Sequence, residues 1–222
     1  MTDDALDKLL NAALAHVAFD GWSEATFRAA IADSDVDPAL ARGLCPRGAV
    51  DLALAYHRRG DRVMQDRLEQ MDLGALRIRD RIIAAVRTRM EAIDDKEAVR
   101  RGATLFALPM YAPDGAKAIW NTCDLIWTAV GDTSTDGNWY SKRAILSGVY
   151  SSTVLFWLGD DSPDRHATWD FLDRRIEDVM RFEKVKAKVN DNPLLKPFLA
   201  GPNWVMSRMK APERQQDMPG SV

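Results

Sequence analysis

The chain has 222 residues with 30 basic and 33 acidic side chains, a formal net charge of −3, so no global field favours nucleic acid as a partner. Hydrophobic residues make up 46% of it, enough for one large or two small domains with a sizeable core. Cys45 and Cys123 stand far apart without a CxxC pair, so they suggest neither a disulfide framework nor a thiolate metal site, and a reducing compartment is expected. The opening Met1-Thr2-Asp3-Asp4 has no apolar or arginine-rich targeting pattern, which points to a bacterial cytoplasm.

Apolar residues recur at helical spacing nearly throughout and period-two runs are missing, so the expected class is all-α with about nine or ten helices. The spacing predicts helices over roughly 3–16, 23–33, 37–44, 47–70, 73–92, 95–108, 113–131, 137–158 and 164–190. Asp37-Pro38 and Ser162-Pro163 each offer an N-cap followed by proline at the first helical position. Asp94 with Glu97 resembles a capping box. The first three helices form a short unit over 1–46 whose connection, Asp33 to Asp37, has the length of a helix-turn-helix. Residues 47–190 form a larger, more apolar helical domain, and 191–222 a segment broken by Pro193, Pro197, Gly201 and Pro202 and ending in a polar tail.

A three-helix unit followed by a larger helical domain is similar to the TetR repressor architecture. That makes a transcriptional regulator with a small apolar effector one reading of the chain. The charges oppose it. Residues 1–45 carry eight acidic and three basic side chains, a net of −5, whereas phosphate contacts need the reverse. The helix over 37–44 has one cation, Arg42, and no Asn, Gln, Ser or Thr to read a base edge. A helix-turn-helix kept only as packing, with no nucleic-acid partner, fits better.

Enzymatic chemistry finds equally little support. His16, His57 and His166 sit in no ligand spacing, and neither a Walker A motif nor a dinucleotide fingerprint is present. We expect no catalytic residue, no metal and no cofactor. An apolar ligand is the third possibility, because Ala144 to Leu158 is fifteen residues without a charge. A helix apolar all round must be buried, and this one is shorter than the roughly 20 residues that span a bilayer. Small residues at Ser147, Gly148, Ser151 and Ser152 leave room beside it for a packed neighbour or a ligand. Against them the preceding helix turns Ile119, Trp120, Cys123, Ile126, Trp127 and Val130 at three- and four-residue steps. An isoprenoid tail between the two helices would touch Ile119, Cys123, Ile126, Trp127, Ile145, Gly148, Val149, Ser152 and Phe156. Leucine at Gly148 would then displace it.

The segment Ala129-Val-Gly-Asp-Thr-Ser-Thr-Asp-Gly-Asn-Trp-Tyr-Ser-Lys-Arg143, continuing into Asp160-Asp-Ser-Pro-Asp164 and Thr168 to Met180, resembles the ninth coenzyme Q biosynthesis protein family. The likeness extends to Phe19-Asp-Gly-Trp-Ser-Glu24 and Pro46-Arg-Gly-Ala-Val-Asp-Leu52, so it covers most of residues 10–185. The resemblance implies a TetR-like fold without chemistry of its own. It implies a protein that holds isoprenoid or quinone lipid, or phospholipid, and acts with the di-iron demethoxyubiquinone hydroxylase. The family's partner surface carries over to Asp132, Ser134, Thr135, Asp136, Asn138, Trp139, Tyr140 and Arg143, with Gly137 departing from the bulky residue usual there. Adjacent helical residues point about 100° apart, so one of Trp139 and Tyr140 should face outward as an interface anchor.

The family's mitochondrial members touch membrane through a continuous amphipathic helix near the C-terminus, which Pro197, Gly201 and Pro202 interrupt here. Residues 181–210 nevertheless carry seven basic against two acidic side chains. They invite either contact of Leu194, Leu195, Phe198, Leu199, Trp204 and Val205 with an anionic leaflet or a fold back onto the bundle. The expected location is therefore peripheral to the inner membrane, with a homodimer of TetR type left open.

Overall fold

The computed structural model describes the backbone of residues 2–93 and 95–191 and the side chains of 3–93 and 95–181. The first unit consists of α1 (Thr2–Asp20), α2 (Glu24–Asp33) and α3 (Pro38–Leu44). Ser23 caps α2 by accepting from Thr26 N, and Asp37 caps α3 by accepting from Ala39 N and Leu40 N at 2.9 Å each. Between them Asp35 takes a left-handed φ of 54°, a conformation that Asp tolerates better than most residues, and so closes the tight turn. The helix-turn-helix connection read from Asp33 to Asp37 is present.

The long α4 (Ala49–Glu69) joins two cores. Its first half packs Leu52, Ala53 and Ala55 against Leu9, Ala13 and Val17 of α1, Phe27 of α2 and Ala41 of α3. Its second half sends Met64 and Leu68 into a separate core with α5 (Ile78–Glu91), α7 (Ala112–Ala129), α8 (Gly137–Leu158) and α9 (His166–Asp191). Each fully buried Leu, Ile, Phe or Met contributes about 1.5–3 kcal/mol, so the two cores tie both ends of α4 into the fold. The short α6 (Lys96–Phe106) lies against α1 and α7. Among the described residues every regular element is helical.

Three local expectations need correction. The helix expected over 73–92 splits into a single 3-10 turn, Leu73–Ala75, and α5, because Leu76 and Arg77 are extended with ψ of 152°. Arg81 secures that break by donating to the carbonyls of Leu76 and Gly74. The cap of α6 is Asp95, whose carboxylate accepts from Ala98 N at 2.9 Å; Glu97 pairs with Arg100 and Arg101 instead of closing a capping box, and Asp94 lies outside the described residues. Ser162-Pro163 opens only one 3-10 turn, since Asp164 and Arg165 have φ of 51° and 58°, and α9 starts at His166.

The uncharged α8 is not buried all round. Leu146, Val149, Tyr150, Thr153 and Trp157, at steps of one, three and four, form its inner face. Leu155 is 64% exposed and Phe156, stacked on Phe171 at 4.6 Å, is 38% exposed. Absence of charge therefore overstated the burial of this helix.

Candidate functional site

A cavity of about 680 Å³ lies among α4, α5, α6, α7 and α8, within the size range of small-ligand sites. Its walls are mostly apolar, with Trp22, Ile93, Val99, Phe106, Ile119 and Val154 prominent. Ala107, Ala116 and the exposed Leu155 form its rim, so the mouth opens between the α6–α7 junction and the last turn of α8. Trp22 is held in the wall by donating from Nε1 to Ala98 O at 3.0 Å. Gly115 allows the close approach of α6 to α7, because a Cβ there would come within 2.7 Å of Phe106 Cβ.

One end of the cavity is polar, lined by His57, Arg89 and Tyr150, with Asp61 and Thr122 bonded to this group from behind. Asp61 and Arg89, both buried, pair with Oδ1 to Nε at 2.6 Å, and Arg89 Nη2 donates to His57 O at 3.0 Å. Thr122 Oγ1 lies 2.8 Å from both Asp61 Oδ1 and His57 Nε2. Because the carboxylate can only accept, the hydroxyl donates to Asp61 and accepts from His57 Nε2–H. Burial, aided by the Arg89 charge and opposed by Asp61, pushes the His57 pKa down to about 4. Tyr150 completes this end, its hydroxyl pushed up to about 12 by burial. Gly60 makes the arrangement possible: a Cβ there would stand 2.6 Å from Arg89 Nη1, so the guanidinium lies directly on the α4 backbone.

Of the nine residues expected around a lipid, only Ile119 lines this cavity. Cys123, Ile126 and Val149 are buried in the core where α7 packs on α8, so that interface is closed by side chains. Trp127 donates from Nε1 to Lys142 O at 3.0 Å. Ile145, Ser152 and Phe156 do not line the cavity. Gly148 is exposed, and a Cβ there meets nothing within 4 Å. Helical spacing identified two faces that meet, but the space lies one face away, toward α4, α5 and α6. Sequence reasoning also missed Gly60, Asp61, Arg89, Thr122 and Tyr150. His57 and Asp61 at i and i+4 with a glycine between them were the available signal.

The turn before α8 is a charged knot. Arg143 is fully buried, donates to Asp124 Oδ1 at 2.6 Å, Asp132 Oδ2 at 3.1 Å and Trp139 O at 3.1 Å, and lies 3.9 Å from the Trp139 ring centroid. Asp132 also accepts from Lys142 and Ser134; these bonds and Arg143 outweigh its burial and hold its carboxyl at about 2. Asp132 and Arg143 thus shape the turn from within and present no free charge. Thr135, Asp136 and Asn138 are exposed, with Asp136 capping α8. Neither Trp139 nor Tyr140 faces fully outward: both are half-buried, their rings 4.8 Å apart and each within 6.4 Å of Trp120. The aromatic of α7 was missing from the expectation.

His16 pairs with Asp33 at 2.7 Å, and His166 contacts Pro163 O on the surface. Among the described residues no three His, Cys, Asp or Glu side chains are grouped to hold a metal, and no helix is long and apolar enough to cross a membrane. Leu194, Leu195, Phe198, Leu199, Trp204 and Val205 lie outside the described residues.

A helix-turn-helix unit leading into an α-helical domain with an internal cavity defines a TetR-like all-α protein. The solved TetR transcriptional regulator from Nitrosomonas europaea shares this fold with a TM-score of 0.64, over 78% of this chain and 95% of that one, at 19% identity. A family model described as COQ9 matches residues 112–183. The chain is 32% identical over 184 residues to the mitochondrial ubiquinone biosynthesis protein COQ9 of Xenopus tropicalis, covering 78% of this chain and 57% of that protein. It is 31% identical over 181 residues to the human mitochondrial COQ9, covering 78% and 57%. The resemblance read from the segments around Trp139 and Thr168 is thereby established, although the chain spans little more than half the length of these relatives.

Proposed function

We propose that this chain is a non-catalytic accessory protein of ubiquinone biosynthesis, which holds an isoprenoid or quinone lipid in the cavity among α4–α8 and presents it to the di-iron demethoxyubiquinone hydroxylase. The observation that carries the reading is the cavity itself: about 680 Å³, largely apolar, and open beside Leu155. The similar COQ9 proteins are ubiquinone biosynthesis proteins, and that supports the pathway. The exposed Thr135, Asp136 and Asn138, beside the half-buried Trp139 and Tyr140, form the patch offered to the hydroxylase. Delivery of a water-insoluble tail requires a membrane surface, and the proposal assigns that contact to the basic and apolar segment 191–222.

A DNA-binding regulator is the competing reading, and the N-terminal unit disfavours it. Arg42, the cation of α3, is engaged by Glu24 at 2.9 Å and lies over the Phe27 ring. Mass spectrometry of organic extracts from the purified chain tests the proposal. Quinone or isoprenoid in stoichiometric amount supports it; a water-soluble effector together with a salt-sensitive operator footprint replaces it with the regulator.

A further inference from the structure

We infer that the cavity takes its ligand polar end first, and that the end seated on Tyr150 and Arg89 is an uncharged hydrogen-bond acceptor of the carbonyl class. The inference rests on the lipid-binding reading and specifies the chemistry of the bound head.

Two buried donors at the polar end of the cavity have no protein acceptor among the described residues. Tyr150 is 4% exposed and lines the cavity, and its hydroxyl makes no hydrogen bond there. Arg89 spends Nε on Asp61 and Nη2 on the His57 carbonyl, which leaves Nη1 over Gly60. The buried side-chain atoms sealed off without a partner are Arg101 Nε and Arg143 Nη2, so the Tyr150 hydroxyl and Arg89 Nη1 face open space instead. A folded chain loses stability by leaving buried donors unpaired, and a bound acceptor removes that cost.

Charge decides which acceptor. The Arg89 cation is already balanced by Asp61 at 2.6 Å, and burial keeps His57 neutral at physiological pH. A carboxylate or phosphate would therefore bring a second anion beside Asp61 without a matching cation, and an ammonium would meet Arg89. A carbonyl oxygen has two lone pairs, one for each donor, and adds no charge. Tyr150, held protonated by burial, remains a donor. The apolar remainder of the ligand then runs past Ile119 and Val154 to the mouth at Leu155.

Three probes with the same decyl tail on a six-membered carbon ring separate the possibilities on the delipidated full chain: 2-decyl-1,4-benzoquinone, decylbenzene and 4-decylbenzoate, measured by equilibrium dialysis. The quinone should bind at least about tenfold tighter than the other two, the value of a single hydrogen bond to one of the two donors. Tyr150→Phe should reduce it toward decylbenzene without weakening decylbenzene binding, and should hold or raise the thermal stability of the empty chain, since it removes an unpaired buried donor. Independently of any variant, the carbonyl stretch of the bound quinone should fall below its value in hexane. Equal affinity for quinone and decylbenzene, an unshifted carbonyl band, or preference for the benzoate would overturn the inference while the cavity remains a lipid site. Failure of all three probes to bind would remove the lipid-binding reading itself.

Discussion

Asp61 Oδ1 lies 2.6 Å from Arg89 Nε, and the two side chains are 7% and 3% exposed, so the polar end of the cavity is built on an ion pair that water barely reaches. Removing one partner leaves the other charged and buried, which is far costlier than losing the pair. We predict that Asp61→Ala lowers stability by about 3–5 kcal/mol in urea denaturation. The double replacement Asp61→Leu with Arg89→Met should recover much of that loss. A mild single-variant effect would show that the site is wetter than the geometry implies.

The same cluster sets a pH dependence. His57 titrates at about 4 in the folded chain and near 6.5 when unfolded, so between these values the unfolded chain binds more protons. Stability is therefore full above pH 6.5 and falls as the pH drops toward 4, by roughly 2–3 kcal/mol from this group. Below about pH 4 the depressed Asp132 carboxyl adds its own loss, as its stabilisation disappears between 3.8 and about 2. Denaturation between pH 7.5 and 4.5 should show a steeper fall for the wild type than for His57→Gln.

Cavity content separates two positions on α8. Ser151 lines the cavity, and Ser151→Trp should displace co-purifying lipid at a stability cost of about 1–3 kcal/mol for the overpacking. Gly148 faces open space, so Gly148→Leu should leave the lipid content unchanged and stabilise the helix by roughly 0.5–1 kcal/mol. Quantified lipid extracts and melting curves of both variants check the assignment. Lipid loss in Gly148→Leu would return the site to the α7–α8 seam.

For the partner patch, exposure decides which variants are informative. Thr135→Lys and Asn138→Lys alter exposed positions and should weaken association with the hydroxylase with little change in stability. Trp139→Ala should do both, because it removes the ring that packs on Trp120 and covers the Arg143 guanidinium, with a stability loss of about 3 kcal/mol. Co-purification of each variant with the hydroxylase, alongside its melting temperature, distinguishes surface from support. Undiminished association of both lysine variants would exclude this patch.

The sequence by itself determined the class, the helix-turn-helix and most helix bodies, because these follow from local periods and caps: Asp37-Pro38 starts α3 and Asp136 starts α8 in the structure as in the chain. The family likeness was legible for the same reason, as it lies in contiguous residues around Trp139 and Thr168. What only the tertiary structure decided is which faces close and which leave space. Cys123, Ile126 and Val149 have the spacing of a pocket and form a packed seam, whereas the cavity draws on five helices whose faces converge only after folding. Its polar end joins His57 and Asp61 to Arg89, Thr122 and Tyr150, separated by up to tens of residues in the chain but within hydrogen-bond or Coulombic reach in space. Periodicity reports how often a side chain turns inward. Whether it meets a neighbour, a buried charge or an opening depends on helices that the local pattern does not contain.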